Sequence, residues 1–121
     1  MALTTSTRWA GDVTIVELSG RIALGDESAA LRDLIAGLLA DNRKKILLNM
    51  ADVSYIDSSG LGVLVSSFAT VKRAGGELKL MKLSEKVSDL MEITRLYTVF
   101  DIESDEAKAV ASFGHTTAAG A

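Results

Sequence analysis

The amino-acid sequence predicts a single α/β domain, in which a mixed sheet of four to five strands has about four helices packed on it. Two β-branched segments flank the turn residues Gly11 and Asp12 near the N-terminus, which indicates an antiparallel hairpin. Strand-like and helix-like segments then alternate, which is typical of parallel strands joined by helical crossovers. The length of 121 residues suits one domain.

Each element is predicted from its hydrophobic periodicity and from the residues at its ends. Gly20 and Arg21 are expected to continue the second strand into a bulge or to form a short additional strand. Gly75 and Gly76 stop the helix before them. The predicted strands are residues 4–9, 13–19, 45–50, 77–82 and 99–102, and the predicted helices begin near residues 25, 58, 84 and 104.

The composition excludes several kinds of chemistry. The chain has no cysteine, so neither disulfides nor thiol chemistry are possible, and its one histidine, His115, lies in a tail of Gly, Ala and Thr. We therefore expect no zinc site, no histidine base and no cofactor. The net charge of −3 argues against a nucleic-acid partner.

The bounds of the domain and its location follow from the ends of the chain and from its apolar runs. Residues 1–113 are expected to form the domain, and residues 114–121 a disordered tail. The N-terminus lacks the pattern of a signal peptide, and no apolar run is long enough to cross a membrane. We therefore expect a cytoplasmic protein without membrane insertion.

The most informative segment lies directly before a strongly apolar helix. Asp57, Ser58 and Ser59 all have short oxygen-bearing side chains, and one of them is expected to cap the helix by accepting a first-turn N–H. Gly60 and Gly62 in the first turn destabilise a helix relative to alanine. Either they let another molecule approach closely, or they allow tight packing within this chain.

The helical period also identifies the outward face of this helix. If the apolar residues are buried, then Gly62, Ser66, Thr70 and Arg73 point outward. This strip is small and polar, so it suits a flat protein contact or an ordinary solvated face. A phosphate on Ser58 or Ser59 would be tolerated by the fold, because a helix N-terminus favours anions.

Enzymatic readings of the same serines do not fit. A nucleophile elbow needs a glycine two residues before the serine, and Ile56 stands before Asp57 and Ser58 instead. The Gly60-Leu-Gly62 segment lacks the third glycine of a dinucleotide fingerprint and the lysine of a P-loop. We therefore predict that the protein is not an enzyme.

The segment Asp57-Ser58-Ser59-Gly60-Leu61-Gly62 resembles the STAS family, and within it the bacterial anti-sigma factor antagonists. The resemblance covers roughly residues 5–113 and implies a STAS-like domain. It is carried by residues 16–22, 46–64, 72–80 and 87–100.

This resemblance implies a function and a site. Members of this type bind an anti-sigma factor that is also a serine kinase, and this binding releases a sigma factor. The kinase inactivates them by phosphorylating the serine after the aspartate of the motif, here Ser58. A serine phosphatase restores them, and ATP belongs to the kinase. A monomer is expected. The residues expected to contact the partner are Asp26, Asp57, Ser59, Gly60, Gly62 and Ser66.

Two positions depart from the family pattern. The family commonly has aspartate where this chain has Asn49, near the phosphorylated serine, and Asp26 is the nearest equivalent of an aspartate expected after the second strand. STAS domains also occur in stress-sensing assemblies and lipid-transport complexes. A subunit of such a complex is therefore the alternative function.

Overall fold

The computed structural model describes residues 3–23 and 25–113 and contains one five-stranded sheet. The strands lie in the order β1-β2-β3-β4-β5, with β1 antiparallel to β2 and the other neighbours parallel. The mixed α/β fold is therefore confirmed. The elements are β1 (Thr4–Ala10), β2 (Val13–Ile22), α1 (Asp26–Ala40), β3 (Lys45–Ile56), α2 (Ser58–Arg73), β4 (Glu77–Met81), α3 (Glu85–Thr94), a 3₁₀ turn (Leu96–Thr98), β5 (Ile102–Glu103) and α4 (Glu106–Ser112).

Strands β3 and β5 differ most clearly from the predicted bounds. Strand β3 continues past residue 50 to Ile56, because β2 also runs on through Gly20 and pairs with it across two shifts of register. The bounds predicted for the last strand, residues 99–102, are wrong. Strand β5 begins at Ile102 and pairs only with the last two residues of β4. The predicted tail at residues 114–121 lies outside the described residues.

The sheet has an apolar core on each face. Helices α1, α2 and α3 cover one face and bury residues such as Leu31, Leu64 and Met91 against it. Helix α4 covers the other face through Ala109, and Phe113 follows at its end. The apolar run of β3 supplies both cores, which confirms that this part of the strand is buried on both faces.

A buried lysine ties α4 to the sheet. The side chain of Lys79 is buried in β4, and its Nζ donates to the Ser112 carbonyl oxygen (3.0 Å) and to Ser112 Oγ (2.9 Å). The same ammonium lies 5.0 Å from the centre of the Phe113 ring. These contacts satisfy a charge that would otherwise be expensive to bury.

Polar side chains continue from α4 across the same face of the sheet. Arg8 donates to Glu106 Oε2 through Nη1 (2.8 Å) and to Glu17 Oε2 through Nε (2.9 Å). Asn49 Nδ2 donates to Glu17 Oε1 (2.8 Å), while Asn49 Oδ1 accepts from the Ala51 N–H (3.0 Å). These hydrogen bonds link β1, β2 and β3 to the start of α4.

This network gives a physical reason for Asn49. The Asn49 amide donates to the Glu17 carboxylate, which an ionised aspartate could not do. With an aspartate at this position, Glu17 Oε1 would face a second negative charge. Asn49 lies in the middle of β3, and its bonds are to Glu17 and Ala51. Asn49 therefore helps to join β3 to β2.

The substitution Asn49→Asp tests this reason. We expect it to lower the free energy of unfolding by about 1–3 kcal/mol at pH 7, because a partly buried hydrogen bond is replaced by a repulsive pair. The double variant Glu17→Gln with Asn49→Asp restores a donor and should recover part of the loss. Urea denaturation measures both, with Asp52→Asn in the exposed part of β3 as the control. An unchanged Asn49→Asp variant would contradict the interpretation.

The pair between Arg8 and Glu106 predicts a pH dependence. Hydrogen bonding to Arg8 lowers the pKa of Glu106 below its ordinary value of 4.5. The pair therefore contributes stability above that value, and the contribution is lost as the pH falls through the lowered pKa of the folded state. We expect Glu106→Gln to lose less stability than the wild type between pH 7 and pH 3 in urea denaturation. Glu92→Gln, an exposed carboxylate of α3, is the control, and an equal effect of both variants would refute the assignment.

Candidate functional site

The candidate site lies where β3 ends and α2 begins. Asp57 caps the helix: its Oδ1 accepts from the Gly60 N–H (2.8 Å), and its carbonyl oxygen accepts from the Leu61 N–H (2.9 Å). Its own N–H donates to the Ile22 carbonyl oxygen (3.3 Å), which joins this junction to the end of β2. Of the three capping candidates in the sequence, the cap is Asp57.

Ser58 is the first residue of α2, and it is exposed, whereas Ser59 is half-buried. Since Asp57 caps the helix, the Ser58 hydroxyl is not needed for that purpose. The first turn of α2 contains no acidic residue, so a negative charge on Ser58 would meet the favourable end of the helix dipole. The two serines, which helix capping and the helix dipole alone did not distinguish, thus differ in their exposure.

The two glycines of the first turn have different roles. Gly60 is buried, and a Cβ built on it would lie 2.1 Å from the Ile22 carbonyl oxygen and 2.8 Å from Ile56 Cγ1. The expectation that Gly60 contacts the partner is therefore corrected: this glycine allows tight packing within the chain. Gly62 is exposed, and a Cβ there would meet no atom within 4 Å.

An open groove runs between the first turns of α1 and α2. Ser66 is exposed on its α2 side, and its Oγ donates to the Val63 carbonyl oxygen (3.1 Å). Asp26 begins α1, but its side chain lies outside the described residues. We name this surface the α1–α2 groove; its small or polar lining includes Ser28, Ala29, Arg32, Ser59, Gly62 and Ser66.

A second groove, between the end of β3 and α3, was missed by the sequence reasoning. Tyr55 and Ile93 stand on it, 43% and 79% exposed, and Leu90 is half-buried beside them. The signal was present: the inward stripe of α3 includes Val87 and Met91, and Ile93 falls off that stripe. We name this surface the α3 groove; it is lined by Tyr55, Ile56, Lys86, Val87, Asp89, Leu90 and Ile93.

Residues 3–23 and 25–113 contain neither a metal-binding cluster nor a membrane-spanning helix. No three residues of the types His, Cys, Asp and Glu cluster there in a way that could hold a metal ion. None of the helices described is both long and apolar enough to cross a lipid bilayer.

Fold and site together define a class: an α/β domain that presents an exposed serine at the capped start of a helix. Residues 5–109 match the model of the STAS domain family. The chain therefore belongs to this family, which confirms the resemblance of its Asp-Ser-Ser-Gly-Leu-Gly segment.

Sequence relatives carry the names of anti-sigma factor antagonists. The anti-sigma-B factor antagonist of Bacillus subtilis is 46% identical over 66 residues, which cover 54% of this chain and 61% of that protein. The anti-sigma F factor antagonist of Paenibacillus polymyxa is 24% identical over 98 residues, 81% of this chain and 84% of that protein. The first of these matches thus spans less than two thirds of the relative.

Solved structures show the same fold. An anti-sigma factor antagonist from Mycobacterium paratuberculosis has a TM-score of 0.79 at 18% identity, covering 93% of this chain and 94% of that one. The Bacillus cell fate determinant SpoIIAA in its phosphorylated form has a TM-score of 0.68 at 17% identity, covering 91% and 97%.

Alanine substitutions at Gly60 and Gly62 form a matched pair. We expect Gly60→Ala to destabilise the domain by about 1–3 kcal/mol or more, because its methyl group collides with the Ile22 carbonyl oxygen. Gly62→Ala should stabilise it by less than about 1 kcal/mol, since alanine favours the helix and the space is open. Urea denaturation of both variants checks this. Equal effects of the two substitutions would contradict the different roles.

Proposed function

We propose that this chain is an anti-sigma factor antagonist that is switched by phosphorylation of Ser58. It binds an anti-sigma factor that is also a serine kinase, and this binding releases a sigma factor. The kinase phosphorylates Ser58 and thereby ends the interaction, and a serine phosphatase restores it. The observation that carries the proposal is an exposed hydroxyl at the start of a helix that another residue, Asp57, already caps.

The geometry explains how one phosphate would act on binding without unfolding the domain. A phosphoserine adds about −1.5 to −2 charges at neutral pH. At the first residue of α2 this charge meets the positive end of the helix dipole, so it is compatible with the fold. A docked partner, by contrast, would have to displace the water around the phosphate or lie against its negative charge, so binding weakens.

The contact surface that we propose surrounds Ser58. Gly62 and Ser66 lie on the exposed side of α2, and Ser59 lines the α1–α2 groove beside them. The absence of a side chain at Gly62 lets a partner backbone approach the helix closely. Asp26 begins α1 and is expected to contact the same partner, while Asp57 holds the start of α2 in place.

In this role the chain is a binding partner and a phosphorylation substrate, and it has no turnover of its own. We propose that it acts in the cytoplasm. We also propose that it acts as a monomer, because the surface that binding needs is present on one chain. The name of the Bacillus subtilis relative supports the class of partner, an anti-sigma factor.

Phosphorylation by purified kinases tests the proposal. Each serine-kinase anti-sigma factor of the source organism is incubated with the chain, ATP and Mg²⁺, and the product is analysed by mass spectrometry. We expect one phosphate, on Ser58, which is lost in Ser58→Ala and kept in the matched variant Ser59→Ala. The phosphorylated chain should bind the kinase at least about tenfold more weakly.

Stability measurements separate a binding effect from an unfolding effect. The phosphorylated and unmodified chains should unfold at similar urea concentrations, because the added charge lies at a helix start. A stoichiometric phosphate at another residue, with Ser58→Ala unaffected, would refute the assignment of Ser58.

A further inference from the structure

The sheet has two edges, and they differ in how well they can pair with a further strand. Strand β5 has two residues, whereas β1 has seven, all of them paired with β2 without a shift of register. Among the residues described, β1 has a neighbouring strand on one side only. We propose that the free edge of β1 pairs with β1 of a second copy of this chain, antiparallel and about a two-fold axis at Thr7.

Strand β1 lacks the features by which proteins usually block an edge strand. Such strands carry proline, lysine or a bulge, or they are very short. The chain has no proline, β1 has no lysine, and its ladder with β2 is unbroken. Its one charged side chain, Arg8, is neutralised by hydrogen bonds to Glu17 and Glu106 of the same chain. Three threonines and one tryptophan among its seven residues also favour the extended conformation that pairing needs.

The hairpin determines which backbone groups of β1 point away from β2. A two-residue turn joins the strands, with Ala10 opposite Val13. In a turn of this length the first carbonyl oxygen accepts from the fourth N–H, so Ala10 and Val13 form a hydrogen-bonded pair. Hydrogen-bonded pairs alternate with non-hydrogen-bonded pairs along an antiparallel ladder. The N–H and C=O groups that face away from β2 are therefore those of Thr5, Thr7 and Trp9.

These outward groups are complementary to a second copy of themselves. When Thr7 of one copy lies opposite Thr7 of the other, each Thr5 lies opposite a Trp9, so the outward groups of both strands meet. Each such pair exchanges two hydrogen bonds, and the three pairs together form about six. The Trp9 ring, which is 56% exposed, then lies across from Thr5 of the second copy, a kind of cross-strand pair that stabilises sheets. The two-fold axis closes the assembly at two copies.

The same register brings no like charges together. Arg8 lies opposite Ser6 of the second copy. The Arg43 guanidinium lies 5.4 Å from the centre of the Trp9 ring, and the two-fold axis puts the two copies of this pair at opposite ends of the ladder. Charge therefore does not oppose the pairing of two identical strands.

The size of the contact predicts a weak and reversible association. A stable interface buries about 800 Å² on each partner, which is more than one strand edge provides. Strand β2 separates β1 from β3 and from Ser58 beyond it. The pairing thus uses a surface other than the one proposed for the anti-sigma factor, and the monomer and the pair are two states of one equilibrium.

Disulfide formation tests the register, because the chain has no cysteine of its own. In the variant Thr7→Cys the two Cα atoms across the axis are about 5.5 Å apart, which a disulfide can span. In the control Thr5→Cys the two cysteines are about 14 Å apart along the strands, which it cannot span. Thr5 is exposed and Thr7 is half-buried, so accessibility alone would favour the control.

We expect mild oxidation to give at least about tenfold more covalent dimer from Thr7→Cys than from Thr5→Cys, as the Cα separations require. Equal yields from the two variants, or a higher yield from Thr5→Cys, would overturn the inference.

Sedimentation equilibrium measures the association without a covalent bond. We expect the wild-type chain to dimerise with a dissociation constant of about 0.1–1 mM, as for a small interface. Thr7→Lys places two cations opposite each other at the axis and should weaken dimerisation by at least about tenfold. Ser54→Lys adds the same charge at an exposed position of β3 and should dimerise like the wild type. Thermal unfolding checks that both variants are folded.

Two results of this measurement would refute the pairing of β1. One is a wild-type chain that stays monomeric at about 2 mM, well above the expected dissociation constant. The other is a dimer that Thr7→Lys leaves unchanged, which would assign self-association to another surface. None of these measurements uses the kinase, so the proposed function and this inference are tested separately.

Discussion

The structure depends on the close approach of the α2 start to the end of β2. The Ile22 carbonyl oxygen accepts from the Asp57 N–H, and the same oxygen leaves no room for a side chain at Gly60. This contact fixes the direction in which the chain leaves β3 and enters α2. Asp57 then caps the helix, and Ser58 is left with its hydroxyl exposed. The accessibility of the proposed phosphorylation site is thus a consequence of backbone packing beneath it.

The short helix α4 covers the other face of the sheet and is held there partly by charged side chains. Helix α4 has seven residues, which is too short to be stable alone in water. It is held by contacts of Lys79 with Ser112 and of Arg8 with Glu106, in addition to its apolar residues. Asn49 belongs to this polar network, because its amide donates to Glu17.

The surface near Ser58 combines two kinds of contact. On one side the exposed Gly62 and the α1–α2 groove permit close backbone approach, and the α3 groove is lined mainly by apolar residues. A phosphate on Ser58, the exposed first residue of α2, would change the charge of this surface without disturbing the core. This arrangement suits a protein whose task is to bind in one state and to be released in another.

Periodicity and capping residues act over short distances, so they were enough to predict the fold class, the mixed sheet and the position of the critical helix start. The sequence also indicated the family through the Asp-Ser-Ser-Gly-Leu-Gly segment, and the family match confirmed this. Local pattern could not predict that Gly60 is buried, that Ser58 is more exposed than Ser59 or that β3 continues to Ile56. These features, like the α3 groove, depend on contacts between elements distant in the chain, which local pattern does not encode.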